Sequence, residues 1–128
     1  MKIYISGPIT GYTNGNRTAF EMAEKSIRQE GNESVNPHDV CAELVASPEW
    51  LTMTENEQWN ACMKLNIPAL LQCDEICMLP AWTDSRGAML EHEIAWRVGI
   101  KPTHFLWQGN PGNSSFLSKK TGGERVIK

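Results

Sequence analysis

Glu91 is a carboxylate at a position where helix periodicity calls for an apolar side chain. The segment from Asp84 to Gly99 reads as a helix with a polar start at Asp84 or Ser85 and a stop at Gly99. Gly87, Glu91, Ile94, Ala95 and Val98 fall at i, i+4, i+7, i+8 and i+11, which is one helix face. Glu93 and Arg97 pair at i, i+4 on another face and read as solvated surface. An inward carboxylate costs several kcal/mol of desolvation unless partners compensate it. An apolar strand, Glu75 to Pro80, comes just before, so Glu91 is expected over the carboxyl edge of a sheet, where open α/β folds place ligands. Three readings fit this segment alone: a carboxylate kept for chemistry, a satisfied structural glutamate, or a helix whose register turns Glu91 outward.

Other chemistry-bearing residues converge on the same edge. The turn Ser6-Gly7-Pro8-Ile9-Thr10-Gly11 follows the first strand and leads into a helix, so its backbone N–H groups could hold an anion. It has neither the Gly-Lys-Ser/Thr of a Walker loop nor the G-x-G-x-x-G spacing of a dinucleotide fingerprint, and a tight turn explains it equally without a ligand. Asp84, Ser85 and Gly87 open the Glu91 helix, where N–H groups and the dipole favour a negative charge. Trp82 reads either as a stacking surface for a base or as a lid on the core. Tyr4, a strand aromatic, reads on its own as core. Asn66 falls on the inner face of the middle helix. Arg17 reads as a solvated helix-start cation, and His92 and His104 as structural.

The elements that must position these groups alternate. Strands are expected at Lys2 to Ser6, Glu33 to Asn36, Glu75 to Leu79 and Pro102 to Trp107. A helix from Arg17 to Gln29 shows Phe20, Ala23 and Ile27 on its inner face, with caps offered by Asn14-Gly15-Asn16 and a stop at Gly31. A second helix runs from Glu55 to Gln72 with Trp59, Met63, Asn66 and Leu70 inward. Pro68 lies inside it, so a kink is expected there, or a restart with Asn66 near an N-cap. Ala42 to Val45 fits one helical turn, and Ser47 to Trp50 a loop. Alternation of this kind implies a single doubly wound, mostly parallel α/β sheet of four to five strands, flavodoxin- or Rossmann-like. Any fifth strand lies in residues 38–55 or in the tail.

Bulk properties narrow the function classes. The chain has 128 residues, a net charge of −3, 41% hydrophobic and 21% charged residues, as expected of one globular domain. No Lys/Arg cluster precedes the tail, which argues against a duplex nucleic-acid surface. No apolar run reaches the roughly 20 residues of a membrane span, and the N-terminal apolar stretch is too short for a signal peptide. Cys41, Cys62, Cys73 and Cys77 show no C-x-x-C and no histidine at ligand spacing, so they read as reduced apolar fillers of a cytoplasmic protein, without zinc.

Taken together, Tyr-Ile-Ser-Gly-Pro-Ile-Thr-Gly at residues 4–11, Asn36-Pro37, Cys73-Asp74, Leu79-Pro80-Ala81-Trp82, Ser85-Arg86-Gly87-Ala88 and Glu91 resemble the nucleoside 2-deoxyribosyltransferase-like superfamily. The match is best to its small bacterial and phage branch, to which deoxynucleoside 5′-monophosphate N-hydrolases are related, and spans residues 2–106. The resemblance implies that Glu91 is the nucleophile that attacks C1′ of a (deoxy)ribose and expels the base, with Tyr4 orienting it. It places Ser6, Gly7, Ile9, Gly11, Trp82, Asp84, Ser85 and Gly87 around a small nucleoside or nucleotide, with Ser85 on a 5′-phosphate. It implies no metal or organic cofactor and a homo-oligomer. Residues 1–108 would form the domain, and 109–128 a flexible or oligomer-contacting tail. Carboxylate chemistry suits an oxocarbenium-like transition state, with water giving hydrolysis and a second base giving transfer.

One position departs from that pattern. Asn66 stands where the superfamily carries an aspartate that helps the base leave, and an amide cannot deliver a proton. A base that leaves unaided, or recruitment of Asp74 or Asp84, would preserve turnover. The alternative is a catalytically impaired nucleotide-binding or sensing module on the same fold. A flavodoxin-like interaction protein without a small ligand is a second rival.

Overall fold

The computed structural model of the protein describes residues 1–108, Ser115–Phe116 and Arg125–Ile127. The expected tail from 109 onward therefore lies largely outside the described residues. Strands β1 (Lys2–Ser6), β2 (Glu33–Val35), β3 (Glu75–Met78), β4 (Lys101–Phe105) and β7 (Arg125–Ile127) form one parallel sheet in the order β2-β1-β3-β4-β7. A short antiparallel pair, β5 (Trp107–Gln108) and β6 (Ser115–Phe116), stands apart. The main sheet is the doubly wound α/β arrangement expected from the alternation, and its fifth strand comes from the tail. Strand order reverses between β1 and β3, and such a fold opens a crevice beyond the carboxyl ends of those two strands.

Alternation along β1 decides which side chains meet which layer. Ile3 and Ile5 join one core cluster with Phe20, Ala23 and Ile27 of helix α1 (Arg17–Gln29). Tyr4 turns the other way, into a second cluster with Leu70 of helix α4 (Glu55–Leu71) and with Ala88 and Ala95 of helix α5 (Arg86–Arg97). Successive strand residues face opposite sides, so Ser6 shares the face of Tyr4. Chain order fills the remaining gap with two single-turn helices, α2 (Pro37–Val40) and α3 (Ala42–Val45), followed by a 3-10 turn at Pro48–Thr52 where a loop was expected.

Two local expectations are corrected. Helix α4 runs through Pro68 as one element, so Asn66 lies in its body and not at a cap. Pro68 and Lys64, whose carbonyl loses its partner, are both exposed, so water can take the freed acceptor and the helix need not restart. The inner stripe of α5 is Ala88, Glu91 and Ala95, whereas Val98 is 57% exposed. Val98 belongs to the turn that ends the helix, which carries it off the stripe. The N-terminus of α4 is fixed by a reciprocal capping box between Thr54 and Glu57, and that of α5 by Ser85, whose hydroxyl accepts from Ala88 N.

Candidate functional site

Glu91 is inward and 4% exposed. Its helix carries it under the carboxyl end of β1, where two hydroxyls of one strand face meet its two oxygens. Tyr4 Oη donates to Oε2 at 2.5 Å, and Ser6 Oγ donates to Oε1 at 2.6 Å. Among the described residues no cation pairs with it. Burial therefore pushes the carboxyl up to about 7, against the two hydroxyl bonds, which favour the anion and pull the other way. The Tyr4 phenol is raised well above its ordinary value, first by burial and then by the adjacent carboxylate, so it remains a donor. A glutamate that titrates near neutrality at the switch point of a parallel sheet is poised to act as either a nucleophile or an acid.

Above it lies a cleft of about 920 Å³. Gly7, Pro8, Ile9 and Thr10 form one wall, Asp84 to Ala88 the opposite one, and Asn66, Met63, Cys62 and Trp59 of α4 the back, with Glu91 also in the lining. Ser6 is fully buried and reaches the site through Glu91. Gly7 is dictated by packing, because a Cβ there would lie 2.6 Å from Leu79 Cβ. The loop beyond it is tied down by Asn16 Nδ2 donating to Pro8 O at 2.9 Å and by the bond of 2.8 Å between His38 Nε2 and Gly15 O. Gly11, with φ +83°, is a turn glycine outside the cleft lining.

The α5 wall is built from its N-terminus. Ser85 caps the helix, which leaves the adjacent N–H groups and the positive dipole end at the cleft. Arg86 lies 3.7 Å from the centre of the Trp59 ring and donates to Asn56 Oδ1 at 3.4 Å, so a cation and an aromatic plane meet beside the cap. Sequence periodicity read Trp59 as inner core; the structure leaves it half-buried in the cleft. Arg17 also borders the cleft, as does His38, whose burial lowers its pKa.

Trp82 does not reach the cleft. Its ring stacks on His92 at 4.4 Å and tilts against His104 at 6.2 Å, packed on the second core cluster, so the stacking surface expected there is a structural tryptophan. Asp74 is also remote: at the amino end of β3, its Oδ2 accepts from Lys2 N at 2.8 Å. Asp84 alone of the two aspartates lines the cleft. Asn66 is 6% exposed in the back wall, and its Oδ1 accepts from Cys41 Sγ at 3.3 Å. All four cysteines are free thiols. Cys41 and Cys62, read from the sequence as fillers, both line the cleft. Among the described residues no cluster of three or more His, Cys, Asp or Glu could hold a metal ion, and no helix is long and apolar enough to cross a membrane.

Comparison with known proteins places this architecture. The model of a domain of unknown function, DUF4406, matches residues 1–103. The chain belongs to the DUF4406 family. Among solved structures, a 2-deoxyribosyltransferase from the psychrotolerant bacterium Bacillus psychrosaccharolyticus superposes with a TM-score of 0.57 at 18% identity, covering 81% of this chain and 71% of that one. That likeness establishes a shared fold for this DUF4406 member. No curated protein matches the sequence.

Proposed function

We propose that the protein cleaves the N-glycosidic bond of a (deoxy)nucleoside or its 5′-monophosphate, with Glu91 as nucleophile, by hydrolysis or base exchange. The observation that carries this reading is the Glu91 carboxylate, buried with no cation beside it among the described residues, gripped by Tyr4 and Ser6, and opening onto a cleft. Held by two hydroxyls and pushed by burial up to about 7, this carboxyl lies close to its ionisation threshold at neutral pH, which suits a nucleophile.

The reaction follows from that arrangement. Ionised Glu91 attacks C1′, the C1′–N bond breaks, and its electron pair departs with the base. The positive character that develops on the sugar ring lowers the penalty of the buried negative charge as the transition state is approached. Tyr4 and Ser6 hold the carboxylate in line, and they stabilise it again when water or a second base attacks C1′ of the glycosyl ester and releases it. The N-terminus of α5, with Ser85 and Gly87, suits the 5′ end of the substrate, and Arg86 adds positive charge beside it. A transferase fold at low identity supports the reading without fixing the reaction.

Asn66 favours a second reading, a nucleotide-binding module with slow or absent chemistry, because it cannot protonate a leaving base. Free-base release from a panel of nucleosides and 5′-monophosphates, with and without an acceptor base, separates the two. Release by the wild type that is lost in Glu91→Ala supports catalysis, and acceptor dependence distinguishes transfer from hydrolysis. Tight binding with no release from any substrate would replace the catalytic reading with the binding module.

A further inference from the structure

The Cys41–Asn66 contact has a consequence for which base can leave. Cys41 closes α2, and its thiol reaches across to α4 to donate to Asn66 Oδ1 at 3.3 Å; the Cys62 carbonyl, at 3.9 Å, and the Cys62 side chain compete for the same proton. The neighbouring Cys62 and burial both push the Cys41 thiol well above its ordinary range, so it stays protonated and stays a donor. An amide has one acceptor end and one donor end. With Oδ1 held against the thiol, Nδ2 is left for the cleft that Asn66 lines, and among the described residues it meets no protein acceptor.

We infer that Cys41 is a positioning residue that locks the Asn66 amide with its NH2 group toward the cleft, and that the site thereby selects leaving bases with a carbonyl oxygen next to the glycosidic nitrogen, the pyrimidine 2-oxo class. This rests on the N-glycosidase reading and deepens it. When C1′–N breaks, the electron pair on the ring nitrogen spreads onto the adjacent carbonyl oxygen. A fixed N–H donor at that oxygen stabilises the departing anion without giving up a proton, and the base takes its proton from water afterwards. This is the chemistry left to a site that has an amide where a general acid would stand. A purine leaves from N9 and spreads its charge over the ring nitrogens N3 and N7; only N3 lies near the same donor, so a purine gains less from it. A hydrogen bond to a group acquiring charge is worth about 10- to 100-fold in rate.

The test compares deoxyuridine and deoxyadenosine 5′-monophosphates on the full chain, as wild type, Asn66→Ala, Cys41→Ala and Cys41→Ser, with kcat and KM resolved separately. The inference predicts faster release of uracil by the wild type and collapse of that preference in Asn66→Ala. Cys41→Ala should lower kcat for the uracil substrate about 10-fold and for the adenine substrate by clearly less, and Cys41→Ser, whose hydroxyl still donates, should restore the uracil rate. Equal losses on both substrates, or Cys41→Ala indistinguishable from wild type, would overturn it. Calorimetric affinities of free uracil and adenine for the same four proteins give a readout independent of turnover. If no variant releases base, the N-glycosidase reading fails. A uracil preference that tracks Cys41 and Asn66 then still upholds the amide lock, and its absence refutes the lock as well.

Discussion

Replacing Glu91 with glutamine should stabilise the protein, increasingly as pH rises from about 5 to about 7 and fully above that. The carboxyl is raised from 4.5 to about 7 in the folded state, mainly by burial. A group with a higher pKa folded than unfolded binds more protons in the native state between the two values. The stability linked to Glu91 is therefore fully present below about 4.5 and is lost as pH rises through about 7. At about 1.4 kcal/mol for each tenfold change in proton affinity, the wild type forfeits about 3 kcal/mol by pH 8.5 relative to pH 4.5. Glutamine resembles the protonated acid in shape and stays neutral, and it can still accept one hydroxyl bond, so Glu91→Gln escapes most of that loss. For a domain of this size the gain corresponds to a melting temperature higher by on the order of 10 °C at pH 8.5, shrinking toward zero at pH 5. Thermal unfolding of both proteins followed by circular dichroism across pH 5 to 8.5 measures it. A wild-type-to-variant difference that is flat with pH, or one that favours the wild type at high pH, would refute the claim that Glu91 is buried without charge compensation.

Further consequences follow from neighbouring residues. Tyr4→Phe removes a bond that favours the anion, so the pH at which base release reaches half its maximum should rise above about 7 while kcat falls; an unchanged profile would disconnect Tyr4 from the carboxylate. Gly7→Ala drives a Cβ to 2.6 Å from Leu79 and should cost about 1–3 kcal/mol in denaturant unfolding, as expected of overpacking; a neutral effect would mean that the loop shifts freely. Trp82→Ala should lower the melting temperature and leave KM for every nucleotide substrate unchanged, because the ring packs on His92 away from the cleft. Arg86→Ala frees the Trp59 ring and removes a cation, so KM for 5′-monophosphates should rise more than KM for nucleosides; equal changes would place the phosphate elsewhere.

Much of the site was legible because it obeys simple periodicities. Glu91 is misplaced on an amphipathic helix, whereas Tyr4 on its own reads as core and is tied to the carboxylate only by the family resemblance. The crevice between β1 and β3 follows from alternating strands and helices. What escaped the sequence depends on contacts between distant segments. The link from Cys41 to Asn66 joins two helices through a packing that no periodicity encodes, so two cleft cysteines looked like fillers. Trp82 and His92 stack across a turn, and nothing in the spacing distinguishes that from a ring left free for a ligand. Pro68 suggested a break, but its exposed position lets the helix continue. The α5 stripe was rotated slightly because it was read through to Val98, beyond where the helix ends.

The central claim is that Glu91 bonds to the anomeric carbon. Intact-protein mass spectrometry with peptide mapping tests it directly, after incubation with a 2′-deoxy-2′-fluoro nucleoside 5′-monophosphate, whose fluorine slows breakdown of a glycosyl ester. The account predicts a stoichiometric sugar-phosphate adduct on the peptide containing Glu91, absent from Glu91→Gln. Base release from ordinary nucleotides with no adduct at Glu91, or release that persists in Glu91→Gln, would contradict it.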